Sequence, residues 1–324
     1  MKRFMREQKV KRLLKEIEIS LNELVAYDDP FVRDCALLNI RAGGKRLRPL
    51  FVLLTAQYFG GYDDQQLKFA GIMELVHMSS LIHDDVNDRS DLRRGERTLN
   101  ARYNNEVAVH VGDYILTNAL RRVFDMRHAS RLLHILAYTA KEMSRGELVQ
   151  LASMFDVKQT IETYYYRIER KTAFLIATCC QAGAILSDAT EEEVKAFYEF
   201  GYHLGMAFQI KDDLMDINPG GAIGKPVGND LKNGLINLPT ILLLQKDFPE
   251  RDDIIQRIEA RFPRGQEDVD YITGFLRNDA IIHHCEEYVQ ENIEKARNVL
   301  SGFQDNETRK LLFEAADYVY ERSV

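Results

Sequence analysis

Two acidic clusters with the same spacing lie far apart in this chain of 324 residues. Each reads Asp-Asp-x-x-Asp and follows an apolar run that suits a helix; the clusters are Asp84, Asp85 and Asp88, and Asp212, Asp213 and Asp216. Residues four apart lie on one face of a helix, so each cluster directs two carboxylates to one spot. Mg²⁺ is commonly held by one or two carboxylates completed by substrate phosphates. One such cluster is more often a solvated helix face, but two copies predict faces that grip a diphosphate through bridging Mg²⁺ ions.

Basic side chains at several points of the chain could bind phosphate directly. The candidates are Lys45, Arg48, His77, Arg93, Arg94, Lys171 and Lys225. Lys45 and Arg48 lie three apart at a glycine-loosened helix start, and His77 precedes Asp84 by two helical turns, so those two share a face. Any one of these residues alone is more often a surface cation. Together they suit a site for two diphosphates, one held partly through metal and the other by direct contacts.

The elements that must position these residues are helices. Thr190 with Glu193 forms a capping box for a helix that runs to about Asp216. Asp63 with Gln66 resembles another such start, for the helix that ends near the first acidic cluster. No run of alternating β-branched residues predicts a sheet.

Residues 174–186 are apolar almost all round, which is typical of a helix buried on every side. A surrounded helix requires a ring of others. We therefore expect an all-α fold, a single large helical bundle around a central cavity, with residues 1–324 forming one domain.

Composition excludes several classes of protein. A formal net charge of −7 and an isoelectric point near 5.7 argue against nucleic-acid binding. The four cysteines follow no zinc or disulfide spacing and suggest buried, reduced thiols in a cytoplasmic protein. The basic N-terminal segment has no apolar core of a signal peptide. It is interpreted as a packing helix, with at most peripheral membrane contact.

The ordered set of motifs resembles the all-trans polyprenyl diphosphate synthases, which elongate isoprenyl chains head to tail. From about residue 43 to 240, the matching segments read GGKRLRP, HMSSLIHDDVNDRSDLRRG, GDYIL, GELVQL, KTAFLI, FQIKDDLMDI and GKPVGNDL. The resemblance implies the isoprenoid synthase fold and a homodimer. It also implies three Mg²⁺ ions per active site, bound by Asp84, Asp85, Asp88, Asp212, Asp213 and Asp216.

The resemblance further implies two substrates. Isopentenyl diphosphate is expected to bind Lys45, Arg48, His77 and Arg94. The allylic diphosphate is expected to contact Arg93, Lys171, Thr172, Gln209 and Lys225. Catalytic roles are expected for Asp84, Asp88, Arg93, Lys171, Asp212 and Lys225. No side chain is assigned as the base, because the resemblance implies that the released diphosphate takes the proton.

The chain departs from the family at two positions. After Asp230 the family often reads Gly-x-x-Thr-x-Pro, whereas this chain has Asn237 in place of the hydroxyl. Leu235 occupies a position where many members carry a lysine for the allylic diphosphate. The chain thus differs from the family in one corner of the expected allylic site.

Other functions use similar motifs. A terpene cyclase would also ionise a diphosphate between acidic helices, but it has no need of the second, basic pocket. A non-catalytic subunit of a heteromeric synthase is expected to have lost part of the acidic set, and both clusters are complete here. A farnesyl or geranylgeranyl diphosphate synthase differs only in product length.

The product length is expected to depend on the residues one helical turn before Asp84. Short-chain members of the family place an aromatic floor there, whereas this chain has Ser79 and Ser80. A helical turn of about 5.4 Å is close to one isoprene unit, so small residues at this level predict a product of about six to eight units. Ser79 and Ser80 could equally be small residues at a helix crossing, with only one of them facing the cavity.

Overall fold

Helices make up nearly all of the protein in the computed structural model, which describes residues 3–27, 29–217 and 227–321. Up to the second acidic cluster they are α1 (Arg3–Arg6), α2 (Gln8–Leu24), α3 (Pro30–Arg41), α4 (Leu47–Tyr58), α5 (Asp64–Asn87), α6 (Leu99–Arg102), α7 (Asn105–Val123), α8 (Ala129–Ala152), α9 (Ile161–Ile168), α10 (Phe174–Ile185) and α11 (Glu191–Ile217). A π-helical turn, Glu169–Ala173, joins α9 to α10. The later helices are α12 (Asn229–Lys232), α13 (Leu238–Leu244), α14 (Arg251–Glu259), α15 (Gln266–Leu276), α16 (Asp279–Val299) and α17 (Glu307–Tyr320).

The chain divides into two compact units. The first unit comprises Met1–Ala137, Thr178–Tyr198 and Asp305–Leu312. The second unit comprises Tyr138–Ala177, Glu199–Gln304 and Phe313–Val324. The organisation of residues 1–324 as one domain therefore stays a prediction.

The predicted all-α fold is confirmed, with one small addition. Strands β1 (Leu92–Arg93) and β2 (Glu96–Arg97) form an antiparallel hairpin, the one sheet among the described residues. Arg94 and Gly95 make the turn with φ values of 54° and 84°, the left-handed pair that a two-residue hairpin requires. Strands of two residues are too short to show an alternating pattern in the sequence.

The predicted helix starts are confirmed. The Asp63 side chain accepts hydrogen bonds from the backbone of Gln65 and Gln66, and the Asp63 N–H in turn donates to Gln66 Oε1. Thr190 and Glu193 form the same reciprocal pair in front of α11. Each box begins a helix of more than twenty residues, 24 in α5 and 27 in α11, that carries an acidic cluster at its far end.

Helix α5 is the central element of the first unit, where it packs against α2, α4 and α7. The apolar face of α2, which includes Val10, Leu13 and Ile17, is buried, so the N-terminal segment is a packing helix as predicted. All four cysteines are buried and free. Within the described ranges, every helix is too short or too polar to span a bilayer.

A buried arginine fixes the loop that precedes α4. Arg46 adopts a left-handed conformation with φ 49° and donates to Glu18 Oε1 at 2.7 Å, Glu74 Oε1 at 2.9 Å and the Ile40 carbonyl at 2.9 Å. Burial acts to lower the pKa of Arg46, but the hydrogen bonds and charges of Glu18 and Glu74 outweigh it and raise that pKa. The charged guanidinium thus ties α2 and α5 to the loop that carries Lys45.

Arg46→Met should lower the free energy of unfolding by about 3–5 kcal/mol, because it leaves the carboxylate of Glu74 buried without its partner. Urea denaturation measures this change. Arg12→Met is the control, since Arg12 pairs with Glu16 on α2 with its side chain 78% exposed. That change should cost less than about 1 kcal/mol. Equal losses in the two variants would contradict the anchoring role of Arg46.

Candidate functional site

Both acidic clusters lie at the carboxyl end of a long helix. Helix α5 ends at Asn87 and Asp88 is its C-cap, with the Asp88 N–H donating to the Asp84 carbonyl at 2.8 Å. Helix α11 ends at Ile217, one residue after Asp216. The last turn of a helix carries unsatisfied carbonyls and partial negative charge, so carboxylates there are unfavourable without a cation.

The middle aspartate of the first cluster is turned into the protein. Asp85 is 3% exposed, and Arg93 on β1 donates to its Oδ1 through both Nε and Nη2 at 2.7 Å. Burial raises the pKa of Asp85, while the charge of Arg93 opposes that rise. Asp84 is partly exposed and Asp88 is exposed. The first cluster therefore has an outer pair of carboxylates and an inner one that holds an arginine.

The middle aspartate of the second cluster is buried in the same way. Asp213 is 3% exposed and accepts from Tyr164 Oη and Gln209 Nε2, each at 2.7 Å. Thr172 Oγ1 donates to Gln209 Oε1 at 2.7 Å, which extends the chain of hydrogen bonds. Asp212 and Asp216 remain partly exposed. Both oxygens of Asp213 thus have protein donors, and its predicted role as a metal ligand stays a prediction.

A fourth carboxylate, that of Asp230, lies close to the three of the second cluster. Burial and then the charge of Asp230 raise the pKa of Asp213 and of Asp216. Burial raises the pKa of Asp230 as well. The hydrogen bond from Asn237 and the charges of Lys171 and Arg167 act to lower that pKa but do not outweigh burial. Mutual repulsion of this kind is relieved by a cation, so the oxygen donors fit a hard divalent ion such as Mg²⁺. Within the described ranges, no three His, Cys, Asp or Glu side chains form a group that could hold a metal ion.

The first unit contains a cationic pocket, although the carboxylates of Glu74, Asp85 and Glu96 also line it. Its lining includes His77 and five arginines: Arg46, Arg93, Arg94, Arg97 and Arg102. Burial and then the guanidinium charges of Arg48, Arg94 and Arg93 lower the pKa of His77 well below its ordinary value. Because a guanidinium only donates, the His77 Nε2 at 3.0 Å from Arg48 Nη1 is the acceptor of a neutral ring.

The loop geometry brings Arg94 into this pocket. A Cβ added to Gly44 would lie 2.6 Å from Arg94 Nη1, so a side chain at this position would require the guanidinium to shift. Arg94 itself holds a left-handed φ of 54°, an unusual conformation for a residue with a side chain. Lys45 is exposed in the loop between Gly44 and Arg46.

Lys171 and Thr172 lie in the π-helical turn. Such turns are rare and are frequently found at functional sites. Lys171 Nζ donates to Glu147 Oε2 at 2.8 Å, and a Cβ added to Gly146 would lie 2.9 Å from the backbone nitrogen of Lys171. The turn is therefore packed closely on α8. Glu147 of α8 is the partner of the lysine, and no sequence motif predicts this contact.

The two serines before Asp84 have different surroundings. Ser79 is 1% exposed and donates to the Gly112 carbonyl of α7 at 2.9 Å, so it lies at a helix crossing. Ser80 is partly exposed and donates to the carbonyl of His77 at 2.8 Å in its own helix. Ser80 lies on the helix face that carries His77 and Asp84.

The predicted site residues fall into two sets, one in each unit. The first unit holds the first acidic cluster with Lys45, Arg48, His77, Arg93 and Arg94, and the second unit holds the second cluster with Lys171, Thr172 and Gln209. Lys225 lies outside the described residues. Four polar residues were not recognised from the sequence, although each contacts a predicted one or its partner: Glu147, Tyr164, Arg167 and Asp230. Only burial and spatial contact single them out.

Known proteins place the chain in one family. The sequence profile of the polyprenyl synthetase family matches residues 29–276. The heptaprenyl diphosphate synthase component 2 of Geobacillus stearothermophilus is 37% identical over 317 residues, 95% of each chain. The crystal structure of heptaprenyl diphosphate synthase from Staphylococcus aureus has a TM-score of 0.89 and 31% identity, covering 97% of this chain and 98% of that one.

A further structure contains ligands. The polyprenyl synthase of Caulobacter crescentus, complexed with calcium and isoprenyl diphosphate, has a TM-score of 0.90 and 27% identity, covering 99% of this chain and 97% of that one. Sequence and fold agree over almost the whole length of these chains. The protein therefore belongs to the polyprenyl synthetase family of prenyltransferases, with the all-α fold of that family.

Proposed function

We propose that the chain condenses isopentenyl diphosphate head to tail with an allylic diphosphate, in a Mg²⁺-dependent reaction. The product is an all-trans polyprenyl diphosphate of about six to eight isoprene units. The observation that carries this proposal is the arginine-lined pocket around His77 in the same unit as the first acidic cluster. An enzyme that ionises one diphosphate has no need of this second anion site, so the pocket favours chain elongation over terpene cyclisation.

The cationic pocket binds the substrate that does not ionise. Arg94 in the pocket lining, with Arg48 beside His77 and Lys45 in the loop before Arg46, holds the isopentenyl diphosphate by direct hydrogen bonds, which are strongest between guanidinium and phosphate. Neutral His77 keeps the guanidinium of Arg48 oriented through its Nε2. Binding in a fixed position presents the alkene of isopentenyl diphosphate to the allylic carbon.

The acidic clusters act on the allylic diphosphate. Asp84, Asp88, Asp212 and Asp216 are the proposed ligands of Mg²⁺, which when bound stabilises the negative charge of the leaving diphosphate. Asp85 and Asp213, which the sequence also predicts as metal ligands, orient the sites through Arg93 and Gln209. Lys171, Thr172, Arg93, Gln209 and Lys225 remain the proposed contacts to the allylic diphosphate. No side chain is proposed as the base; the proton lost after condensation passes to the released diphosphate.

A second candidate function is that of one component of a two-component synthase. It is favoured by the name of the Geobacillus relative, heptaprenyl diphosphate synthase component 2, and of a Bacillus subtilis relative that is 36% identical over 308 residues. Both acidic clusters are complete in this chain, which supports a catalytic component rather than a non-catalytic one. A cytoplasmic homodimer with an isologous interface is our proposal for the chain alone.

The decisive experiment uses the purified chain alone with Mg²⁺, labelled isopentenyl diphosphate and geranyl, farnesyl or geranylgeranyl diphosphate as primer. Chromatography of the products is expected to show medium-length polyprenyl diphosphates. Product formed only after addition of a partner from the source cell would favour the two-component synthase. Consumption of the allylic diphosphate without isopentenyl diphosphate would indicate a cyclase.

Removing one outer carboxylate should abolish most of the turnover. Asp84→Asn or Asp212→Asn should each lower kcat by about 10²-fold or more, because charge stabilisation of the leaving diphosphate is lost. Steady-state kinetics with excess Mg²⁺ measures this. Asp91→Asn, at an exposed aspartate just beyond α5, is the control and should leave kcat unchanged. Near-normal turnover of Asp84→Asn or Asp212→Asn, or full activity in excess chelator, would refute the metal site.

Product length should respond to Ser80 rather than to Ser79. Ser80→Phe should shorten the product while the first condensation stays intact, because an aromatic ring on the face of Asp84 forms a floor one turn of about 5.4 Å below it. Ser79→Phe should instead destabilise the protein, since Ser79 is packed against Gly112. Product sizing and thermal unfolding distinguish the two, with Ser80→Ala as the control of unchanged length. Wild-type protein that stops at farnesyl diphosphate in excess isopentenyl diphosphate would contradict the proposed length.

A further inference from the structure

Asn237 does not cap the helix that it precedes. It occupies the N-cap position of α13 with extended backbone, and its side chain makes no capping hydrogen bond. Asparagine is among the best N-cap residues, so its side chain would be expected to accept hydrogen bonds from the first backbone N–H groups of α13. The side chain of Asn237 is buried, with 8% of the residue exposed, and its hydrogen bonds are made elsewhere.

The amide of Asn237 joins a buried cation, Arg167, to the partly buried carboxylate of Asp230. Arg167 Nη2 donates to Asn237 Oδ1 at 2.6 Å, and Asn237 Nδ2 donates to Asp230 Oδ2 at 2.9 Å. Arg167 is 3% exposed. An amide has its acceptor and its donor on different atoms, so it forms a hydrogen bond with both charged partners at once.

The connection continues to the second acidic cluster. The backbone N–H of Asp230 donates to Asp216 Oδ2 at 3.1 Å, and that of Asn229 donates to Asp216 Oδ1 at 3.2 Å. Both oxygens of Asp216 are therefore oriented by the segment whose position Asn237 fixes. All of these residues belong to the second unit.

We propose that Asn237 is a positioning residue that couples Arg167 to Asp230 and thereby sets the orientation of Asp216 toward a diphosphate-bound Mg²⁺ ion. This inference rests on the proposed function of Asp216. The threonine that the family often carries at this position has a single hydroxyl oxygen. Both Arg167 and Asp230 would have to reach that one atom, so the amide bridge belongs to this chain.

Arg167 has supports that do not depend on Asn237. Its guanidinium donates to the Ile236 carbonyl at 3.3 Å and lies 5.5 Å from the centroid of the Tyr164 ring. Loss of the Asn237 amide therefore releases Asp230 while Arg167 keeps two of its contacts. This makes the bridge separable by mutation from the packing of Arg167.

The test compares Asn237→Leu and Asn237→Thr with the wild-type chain. The binding readout is the rise in Tm on titration of Mg²⁺ in the presence of inorganic diphosphate, and the kinetic readout is the Mg²⁺ concentration for half-maximal turnover. Both midpoints should rise about tenfold or more in Asn237→Leu, the size typical when a group that orients a metal ligand is removed. KM for isopentenyl diphosphate should stay unchanged. The Mg²⁺ midpoints of Asn237→Thr should lie between those of Asn237→Leu and the wild type. Asn237→Thr replaces Asn237→Leu as the test variant if the latter does not fold.

A matched control separates positioning from stability. Asn292 is also a buried bridging asparagine of the second unit, 4% exposed, with Nδ2 donating to the Tyr288 carbonyl and Oδ1 against His203 Nδ1. Asn292→Leu should lower Tm without changing either Mg²⁺ midpoint. Arg167→Met should raise the midpoints, and the double variant with Asn237→Leu should add nothing further, since both changes break one bridge.

The outcomes distinguish this inference from the proposed function. Unchanged midpoints in Asn237→Leu, or equal shifts in Asn292→Leu, would overturn the positioning role while leaving the prenyltransferase reaction intact. A wild-type chain that forms no prenyl product would instead refute the proposed function. The Mg²⁺ and diphosphate titration of Tm would still decide the role of Asn237 in that case.

Discussion

The accumulation of negative charge at the carboxyl ends of α5 and α11 is the constraint on which the site depends. Each helix end already carries partial negative charge from its free carbonyls, and each adds three aspartates to it. The protein offsets part of this charge with side chains of its own: Arg93 in the first unit and the donors around Asp213 in the second. The outer aspartates are more exposed than the middle ones, and Asp216 also accepts the backbone N–H groups of Asn229 and Asp230.

Helical geometry explains why aspartates of the same motif act differently. Successive residues are about 100° apart around a helix, so the second aspartate cannot face the spot that the first and last share. In both clusters the second aspartate is 3% exposed and held by hydrogen bonds. The motif thus combines two more exposed carboxylates, our proposed metal ligands, with a buried one that holds a neighbouring side chain, Arg93 or Gln209.

The sequence was sufficient for features that depend on local spacing. The capping boxes at Asp63 and Thr190, the helices that carry the acidic clusters and the surrounded helix α10 follow from patterns within a few turns, and the structure confirms them. Contacts between distant segments were not predictable in this way. Tyr164 with Asp213 and Arg167 with Asn237 are separated by 49 and 70 residues, and no periodicity relates them.

The structural effect of the two departures from the family pattern, Leu235 and Asn237, depends on contacts with distant segments of the chain. Many family members carry a lysine at the position of Leu235, and its flexible side chain supplies a mobile cation. Arg167 has a planar guanidinium with donors in fixed directions, and the residue is 3% exposed. Arg167 donates to the carbonyl of Ile236 and to Asn237, the residues directly after Leu235. The positive charge at this corner is therefore supplied from inside the fold, by a residue of α9. A cation in this position holds the Ile236 carbonyl and the Asn237 side chain. Because Arg167 is buried, it cannot follow a substrate as an exposed lysine could.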